Sequence, residues 1–334
     1  MKLEVYTESD AFEILKPEWN ELLERSLSNT IFSTWEWQST WWNVYQPGEL
    51  LIITCRDDNN RLVGIAPWFI DDNRNVSFVG CIDVTDYLDV IIDENHFDIA
   101  LEGFARILFE RVEMYDAIRL CNIPEGSSTP QTFSRILGNC SFSTKIEQID
   151  VSPRIELPDT FDDYLALMDK KYRHELRRKL RRARGASEHI EDYTVNSSHN
   201  LDDEIERFLT LMAESDEEKS TFLQDAKNVS FFKQLIPVLF EKGWLQLNFL
   251  TISGEVVAAY FNFVYNNHVL VYNSGQQHGK YDHLSPGIVL LANNIEAAIN
   301  DKYEVFDFLR GDEPYKYHLG GKDKAIYMLT AQLS

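Results

Sequence analysis

The sequence predicts an α/β chain of two similarly built halves, and three observations carry that expectation. At 334 residues and 44% hydrophobic composition, the chain can bury two ordinary cores. Helix-like and strand-like stretches alternate along its length. The order of elements in the first half also returns in the second at a spacing of about 194 residues, which reads as an ancient duplication. The expected division is a first domain over 1–152 and a second over 153–334.

Element by element, Phe12 to Leu27 reads as a helix with Phe12, Leu15, Trp19, Leu22 and Leu23 on one side. Thr34 to Tyr45 is a second helix, where Trp37 and Trp41 share a face with Tyr45 and so belong to a core. Leu50 to Cys55 and Leu62 to Ile70 form a hairpin about the turn Asp57-Asp58-Asn59-Asn60. Strands are expected at Val76 to Cys81, Tyr87 to Ile92 and Ala117 to Cys121, with a helix from Ile99 to Tyr115. The second half begins with helices at Arg207 to Glu214 and Ser230 to Lys242. A hairpin then turns at Ser253-Gly254, between Leu245–Ile252 and Glu255–Tyr265, and Val269 to Asn273 follows it as Val76 to Val79 follows the first.

Charge narrows the function classes. A formal charge of −22 (pI about 4.7) argues against a general nucleic-acid binder, which needs spread-out cations. No stretch has the length of an apolar membrane span, and the opening MKLEVYTESD lacks a signal-peptide core. Cys55, Cys81, Cys121 and Cys140 are scattered without a Cys-x-x-Cys pair and read as reduced thiols of a cytoplasmic protein. The histidines form no metal-ligand set, so no metal is expected.

Chemistry concentrates between Tyr272 and Gly321. Ser285 stands at an N-cap position and Pro286 at the first helical position. Gly287 leaves the first turn bare, so its N–H groups and the helix dipole suit an anion such as a phosphate. After that helix, Val305 to Leu309 reads as a buried strand. Arg310, Asp312, Glu313, Tyr315 and Lys316 then bring cation, carboxylates, phenol and ammonium together. Asp307 lies between Phe306 and Phe308, where a carboxylate needs a partner, and Lys316 and Arg310 are the nearest cations in sequence. A Walker-type loop fails: Gly275-Gln276-Gln277-His278-Gly279-Lys280 is one residue short between glycines, and Tyr281 replaces Ser/Thr. The counterpart stretch of the first half lacks both the bare helix start and the cation cluster, so chemistry is expected in the second half.

A basic helix is the other strong feature. Residues 170–184 carry nine Lys/Arg against one acid, a net +8 that leaves −30 for the rest of the chain. Tyr172, Leu176, Leu180 and Ala183 make a narrow apolar stripe along it. Either the helix lies on the acidic body, paired with runs such as ESDEEK and LDDEIE, or it meets cofactor phosphates, an anionic acceptor or an anionic membrane surface.

These residues carry a resemblance. Ser285, Pro286 and Gly287, a helix, then Asp307, Gly311, Glu313, Tyr315 and Lys316 resemble the GNAT-fold acyltransferase superfamily. More closely they look like its FemAB-like and CelD-like acetyltransferase branch. Arg173, Arg177 and Arg178 match the basic helix that this branch carries upstream. The sequence departs from ordinary GNAT enzymes in having HLSPG where their pyrophosphate loop reads Gln/Arg-x-x-Gly-x-Gly/Ala.

The resemblance implies two tandem GNAT-like domains with mixed, mostly antiparallel sheets flanked by helices, the first domain non-catalytic. It implies acyl transfer, with acetyl-CoA or another acyl-CoA as co-substrate, to an amine of a small-molecule or cell-envelope precursor. Glu313 or Asp312 would take the amine proton, and Tyr315 would protonate the leaving thiolate. Backbone N–H groups around Asn273 and Gly275 would hold the oxyanion. Ser285, Pro286, Gly287, Arg310 and Lys316 would hold cofactor phosphates, and Arg173, Arg177 and Asp307 the acceptor. The alternatives are a FemAB-like transferase using aminoacyl-tRNA, the one reading in which nucleic acid is a partner, and a non-catalytic module that binds an anionic ligand. Sequence leaves the oligomeric state open.

Overall fold

A computed structural model describes residues 1–81 and 84–334. The chain folds as two compact units, one of Met1–Val151 with Lys324–Ser334 and one of Ser152–Asp323. The first unit contains β1 (Lys2–Tyr6), α1 (Ala11–Leu23), α2 (Trp35–Tyr45), β2 (Gly48–Arg56), β3 (Leu62–Asp71), β4 (Asn75–Phe78) and β5 (Ile91–Ile92). It continues through α3 (Phe97–Glu110), β6 (Ala117–Pro124), α4 (Thr129–Asn139) and β7 (Phe142–Val151). The second unit holds β8 (Arg154–Glu156), α5 (Phe161–Leu167), α6 (Lys170–Arg184), β9 (Ile190–Thr194), α7 (Leu201–Ser215), α8 (Glu217–Phe222) and α9 (Ala226–Glu241). Then come β10 (Leu245–Ile252), β11 (Glu255–Tyr265), β12 (His268–Gln276), α10 (Pro286–Asn300), β13 (Val305–Asp307) and α11 (Pro314–His318). The last strand, β14 (Ala325–Leu333), returns to the first unit.

The first sheet runs β1-β2-β3-β4-β6-β14-β7, with β5 against β3. β14 pairs antiparallel with both β6 and β7, and its Ile326, Leu329 and Ala331 are fully buried. The last strand therefore completes the first domain, which corrects a division that gave it to the second. The β2–β3 turn closes as its acids and amides dictate. Asp57 accepts from the N–H groups of Asn59 and Arg61, and Asn60 takes the left-handed conformation. Thr34 caps α2 through the Trp37 N–H, and Trp37, Trp41 and Tyr45 are buried.

Three expectations for this unit change. Only Ile91–Ile92 of the stretch 87–92 is a strand. The helix expected to reach Tyr115 ends at Glu110, and Tyr115 turns back to donate its hydroxyl to the Leu108 carbonyl at 2.9 Å. Cys81 and Cys121 are joined rather than reduced, because β4 and β6 lie side by side and bring two positions 40 residues apart in sequence to a Cα separation of 6.3 Å. Cys55 and Cys140 are free.

The second sheet runs β8-β13-β12-β11-β10-β9, antiparallel throughout except for the β12–β13 pair. Alternation along β11 sorts its two faces. Ala258 and Tyr260 join the core under α5, α6 and α10, while Phe261 and Phe263 join the aromatic packing of Phe208, Phe232 and Tyr272 under α7 and α9. On α6, Leu176, Leu180 and Ala183 are buried as the stripe predicted. No described helix is long and apolar enough to cross a membrane.

Asp89 in the first unit gives a pH test. It is buried, accepts from the Val90 N–H at 2.8 Å and the Ser127 hydroxyl at 2.6 Å, and burial pushes its carboxyl up to about 6. Because the folded value exceeds the unfolded one, the folded state binds the proton more tightly, and stability falls as pH rises from about 4 to 6. Asp89→Asn is expected to gain roughly 3 kcal/mol relative to wild type between pH 4 and pH 7, read from urea melts at both pH values.

Candidate active site

The site begins with a backbone constraint. β13 pairs parallel with β12 only at His268, Val269 and Leu270, while β12 runs on to Gln276 with β11 as its strand partner. A bulge at Tyr272 bends β12 just where the two strands part, between the pairs Phe261–Asn273 and Asn262–Val271. The remaining edge of β12 thus faces away from any strand.

Pairing parity decides which donors face that edge. The Gln277 N–H bonds the Val257 carbonyl on β11, so the N–H groups of Gly275 and Asn273 also point toward β11. Those two were the expected oxyanion donors, and they are turned the wrong way. The edge donors are Ser274, whose N–H is held by Asn273 Oδ1 at 2.9 Å, and Gln276, whose N–H is held by Ser215 Oγ at 2.7 Å. Gly275 has a packing role instead. A Cβ there would lie 2.6 Å from the α7 backbone at Leu211 and Met212, so only glycine lets α7 approach β12.

α10 opens beyond the end of β12. Pro286 is its first residue, so the bare first-turn N–H groups are those of Gly287 and Ile288. Ser285 occupies the cap position in a left-handed conformation, φ 55°, without a side-chain cap bond, so its predicted capping role does not hold. A Cβ on Gly287 would meet Gln276 Oε1 at 2.3 Å, so the carboxamide lies against this turn. Arg182 of α6 reaches the adjoining loop and donates to the His283 carbonyl at 2.9 Å. Gln276 and Arg182 were both missed as cradle residues: one sat in a failed Walker pattern, the other among nine like charges.

The loop after β13 is held shut by two buried ions. Asp307 accepts from the Leu309 N–H at 2.7 Å and from the Ser152 hydroxyl at 3.1 Å, which fixes Leu309 in its left-handed turn, φ 57°. It is a scaffold carboxylate rather than a substrate ligand. Lys316 is 2% exposed, and its ammonium meets the carbonyls of Leu309, Arg310 and Gly311 at 3.1, 2.7 and 3.2 Å and Glu313 Oε2 at 2.9 Å. All three ammonium protons are committed. Lys316 clasps its own loop, and the expectation that it grips a phosphate is corrected. Arg310 is half-buried and lends its carbonyl to this clasp. Asp312 is exposed, and after burial and Asp323 its charge is a lesser contribution to the raised Tyr317 phenol.

Tyr315 and Glu313 remain at the parting. Burial pushes the Tyr315 phenol well above its ordinary value, helped by Tyr260 and by the charge of Glu313, so it carries a proton at neutral pH. Tyr260 stands across from Ser274 on β11. Lys219 on α8 completes the group, with its Nζ 2.7 Å from the Ser274 carbonyl and 3.1 Å from its hydroxyl. Burial lowers the Lys219 amine below its ordinary value, against the charges of Asp216, Glu313 and Glu218. No sequence signal marked Lys219, a single cation in the acidic run ESDEEK. The edge of β12 therefore gathers an ammonium, a carboxylate and two protonated phenols.

The basic helix divides its residues among different jobs. Arg173 caps the end of α5 at the Ala166 carbonyl, 3.2 Å away, so it is structural. Tyr172 stacks on His318 of α11 at 4.0 Å. Among the described residues, α6 pairs with Glu175 through Arg178 and with Glu296 through Arg184, not with the runs ESDEEK and LDDEIE. Arg177 is exposed and lies apart from the β12 edge, in a groove with Asp159 and Glu296. Among the described residues no cluster of three or more His, Cys, Asp or Glu is placed to hold a metal ion.

The first unit has the same parallel pair, β4 beside β6, but its parting is filled. Asn122 on β6 accepts the Leu88 N–H at 2.9 Å and donates to the Thr85 carbonyl at 2.7 Å, and Trp37 Nε1 donates to Thr85 Oγ1 at 3.1 Å. Thr85, Tyr87 and Leu88 are buried there.

Residues 170–317 match the family model described as acetyltransferase (GNAT) domain. Among solved structures the chain is similar to FemX, at TM-score 0.64 and 10% identity, covering 98% of this chain and 97% of that one. It is similar to a conserved protein of unknown function from Bacteroides thetaiotaomicron, at TM-score 0.64 and 14% identity over 98% and 100% of the two chains. A tandem GNAT protein from the clavulanic acid biosynthesis pathway aligns at TM-score 0.53 and 12% identity over 100% and 99%. No curated protein matches the sequence. The chain thus has a tandem GNAT-like fold, and residues 170–317 of its second unit match the acetyltransferase (GNAT) domain model.

The clasp and the close approach give a stability test. Lys316→Met leaves buried carbonyls without a donor and is expected to cost roughly 1–3 kcal/mol. Gly275→Ala drives a methyl into the α7 backbone at a similar cost, about 1–3 kcal/mol. Thermal melts of both variants should fall clearly below wild type, while Asp312→Asn should melt with it.

Proposed function

We propose that the second unit moves an acyl group, acetyl in the first instance, from acyl-CoA to an amine of a small-molecule or cell-envelope precursor. The observation that carries this reading is the juxtaposition of a β12 edge that no strand covers, its backbone groups held by side chains alone, with the bare first turn of α10. An extended chain ending in phosphates fits that pair of features: the strand edge takes the chain, and the helix start takes the anion. Gly287 and Ile288 N–H groups and the Arg182 guanidinium are the phosphate partners, in place of Lys316 and Arg310. Acyl-CoA supplies an activated thioester carbonyl.

The rest falls to the chain's own residues. The Lys219 ammonium, set on the Ser274 carbonyl and hydroxyl, is the charge nearest the strand edge and stabilises negative charge developing on the acyl oxygen. The amine forms its C–N bond as the C–S bond breaks. Glu313 takes the amine proton, and Tyr315, kept protonated by burial, gives its proton to the thiolate. A cytoplasmic location fits a metabolic thioester donor.

One observation favours a second reading, an aminoacyl-tRNA donor. Arg182 begins a track of arginines on α6 that leads away from the cradle. Calorimetric titration separates the two. For acyl-CoA, micromolar binding of acetyl-CoA is expected, weakened about tenfold or more by Gly287→Val and by Arg182→Ala. Tyr315→Phe should keep that affinity and lower turnover roughly a hundredfold. Absence of binding at millimolar acetyl-CoA sinks the first reading and directs the titration to charged tRNA.

A further inference from the structure

α6 also borders a second concavity, at the far end of α10. A groove of about 660 Å³ lies between α5, α6 and the last turns of α10, within the range of small-ligand sites. Glu296 on its rim is about 14 Å along α10 from Gly287, at 1.5 Å per residue. The groove shares no lining residue with the first turn of α10.

The α6 wall of the groove carries Arg177, Arg181 and Arg184. Arg184 is partly answered by Glu296 at 3.9 Å. The side chains of Arg177 and Arg181 are exposed and, among the described residues, hold no hydrogen bond or ion pair. They stand four residues apart, one helical turn, and both line the same groove. Two unanswered guanidiniums at that spacing suit a phosphoryl group, which each fork can grip through paired N–H bonds. Leu165 and Leu180 form a buried apolar floor beside the half-buried ring of Phe161. The other wall offers the carboxylates of Asp159 and Asp162 and the carboxamide of Asn300. Carboxylates there repel a long polyanion and accept hydrogen bonds from hydroxyl groups.

We propose that this groove binds a phosphorylated polyol, either a sugar phosphate or the headgroup of a glycerophospholipid. The phosphoryl group sits on Arg177 and Arg181, the hydroxyls on Asp159, Asp162 and Asn300, and the carbon skeleton on Phe161 and Leu180. This inference is independent of the transferase reading, because no residue of the β12 edge takes part.

The test uses the full chain and five probes. Calorimetry measures glucose 1-phosphate, glucose and inorganic phosphate, and co-sedimentation compares phosphatidylglycerol with phosphatidylcholine vesicles. Glucose 1-phosphate or phosphatidylglycerol vesicles are expected to bind, and the double variant Arg177→Ala/Arg181→Ala to weaken that binding at least tenfold. Arg178→Ala, whose guanidinium is already taken by Glu175, should leave it unchanged. Binding in solution alone assigns a soluble sugar phosphate, and binding to vesicles alone assigns a lipid headgroup; either supports the proposal. Inorganic phosphate binding as tightly as glucose 1-phosphate removes the polyol. Binding that survives the double variant, or no binding of either phosphorylated probe, overturns the assignment.

Discussion

Two parallel strands that pair for three residues and then separate set the terms for the second unit. A sheet normally satisfies every backbone group of an interior strand, and an abandoned edge must find other partners. Here α7 and α8 supply some of them, through Ser215 on the Gln276 N–H and Lys219 on the Ser274 carbonyl. The glycine at 275 exists because α7 must come within backbone contact of β12 to do so. At the other side, β13 leads straight into a left-handed turn and a short helix. Asp307 and Lys316 hold that turn from within, so that Tyr315 and Glu313 stay beside the opening. Most of the charged residues of the DFLRGDEPYK motif keep the opening in shape, and few of them face it.

The first unit shows the same geometry resolved differently. Its β4 and β6 also pair in parallel and part. Asn122, Thr85 and Trp37 then close the space with hydrogen bonds between buried groups. Among the described residues, buried side chains occupy the parting of the first unit, whereas an ammonium and phenols line that of the second. Common topology therefore carries different side chains at the two partings, and the difference lies in what occupies a few residues of strand edge. The return of β14 to the first sheet, between β6 and β7, ties the end of the chain to that scaffold.

α6 explains how so basic a helix is tolerated on an acidic protein. Its apolar stripe is buried, Arg173 and Tyr172 fasten its start to α5 and α11, and Arg182 fastens its later turns beside the α10 start. The remaining guanidiniums are left toward solvent and a groove. An exposed arginine with no partner costs little in water, so such residues are free to serve a ligand.

Sequence alone determined the features that rest on local periodicity and on small, irreplaceable residues. The tandem α/β order, the tryptophan core helix, the stripe on α6 and the Pro286-Gly287 helix start were all legible, because each follows from spacing within a few residues. What the tertiary structure decided were the partners of charged and polar groups. Asp307 demanded a partner because a carboxylate in an apolar run is costly alone, and Arg173 and Lys316 were assigned ligands through the resemblance; sequence cannot say whether such a partner is a substrate or the chain's own groups. Lys219 and Gln276 carried no signal, since their neighbours at the site come from other strands and helices. The N–H groups of Asn273 and Gly275 were assigned to the wrong side for a similar reason: which way a strand's donors point depends on the register with β11, set by a bulge and by long-range packing.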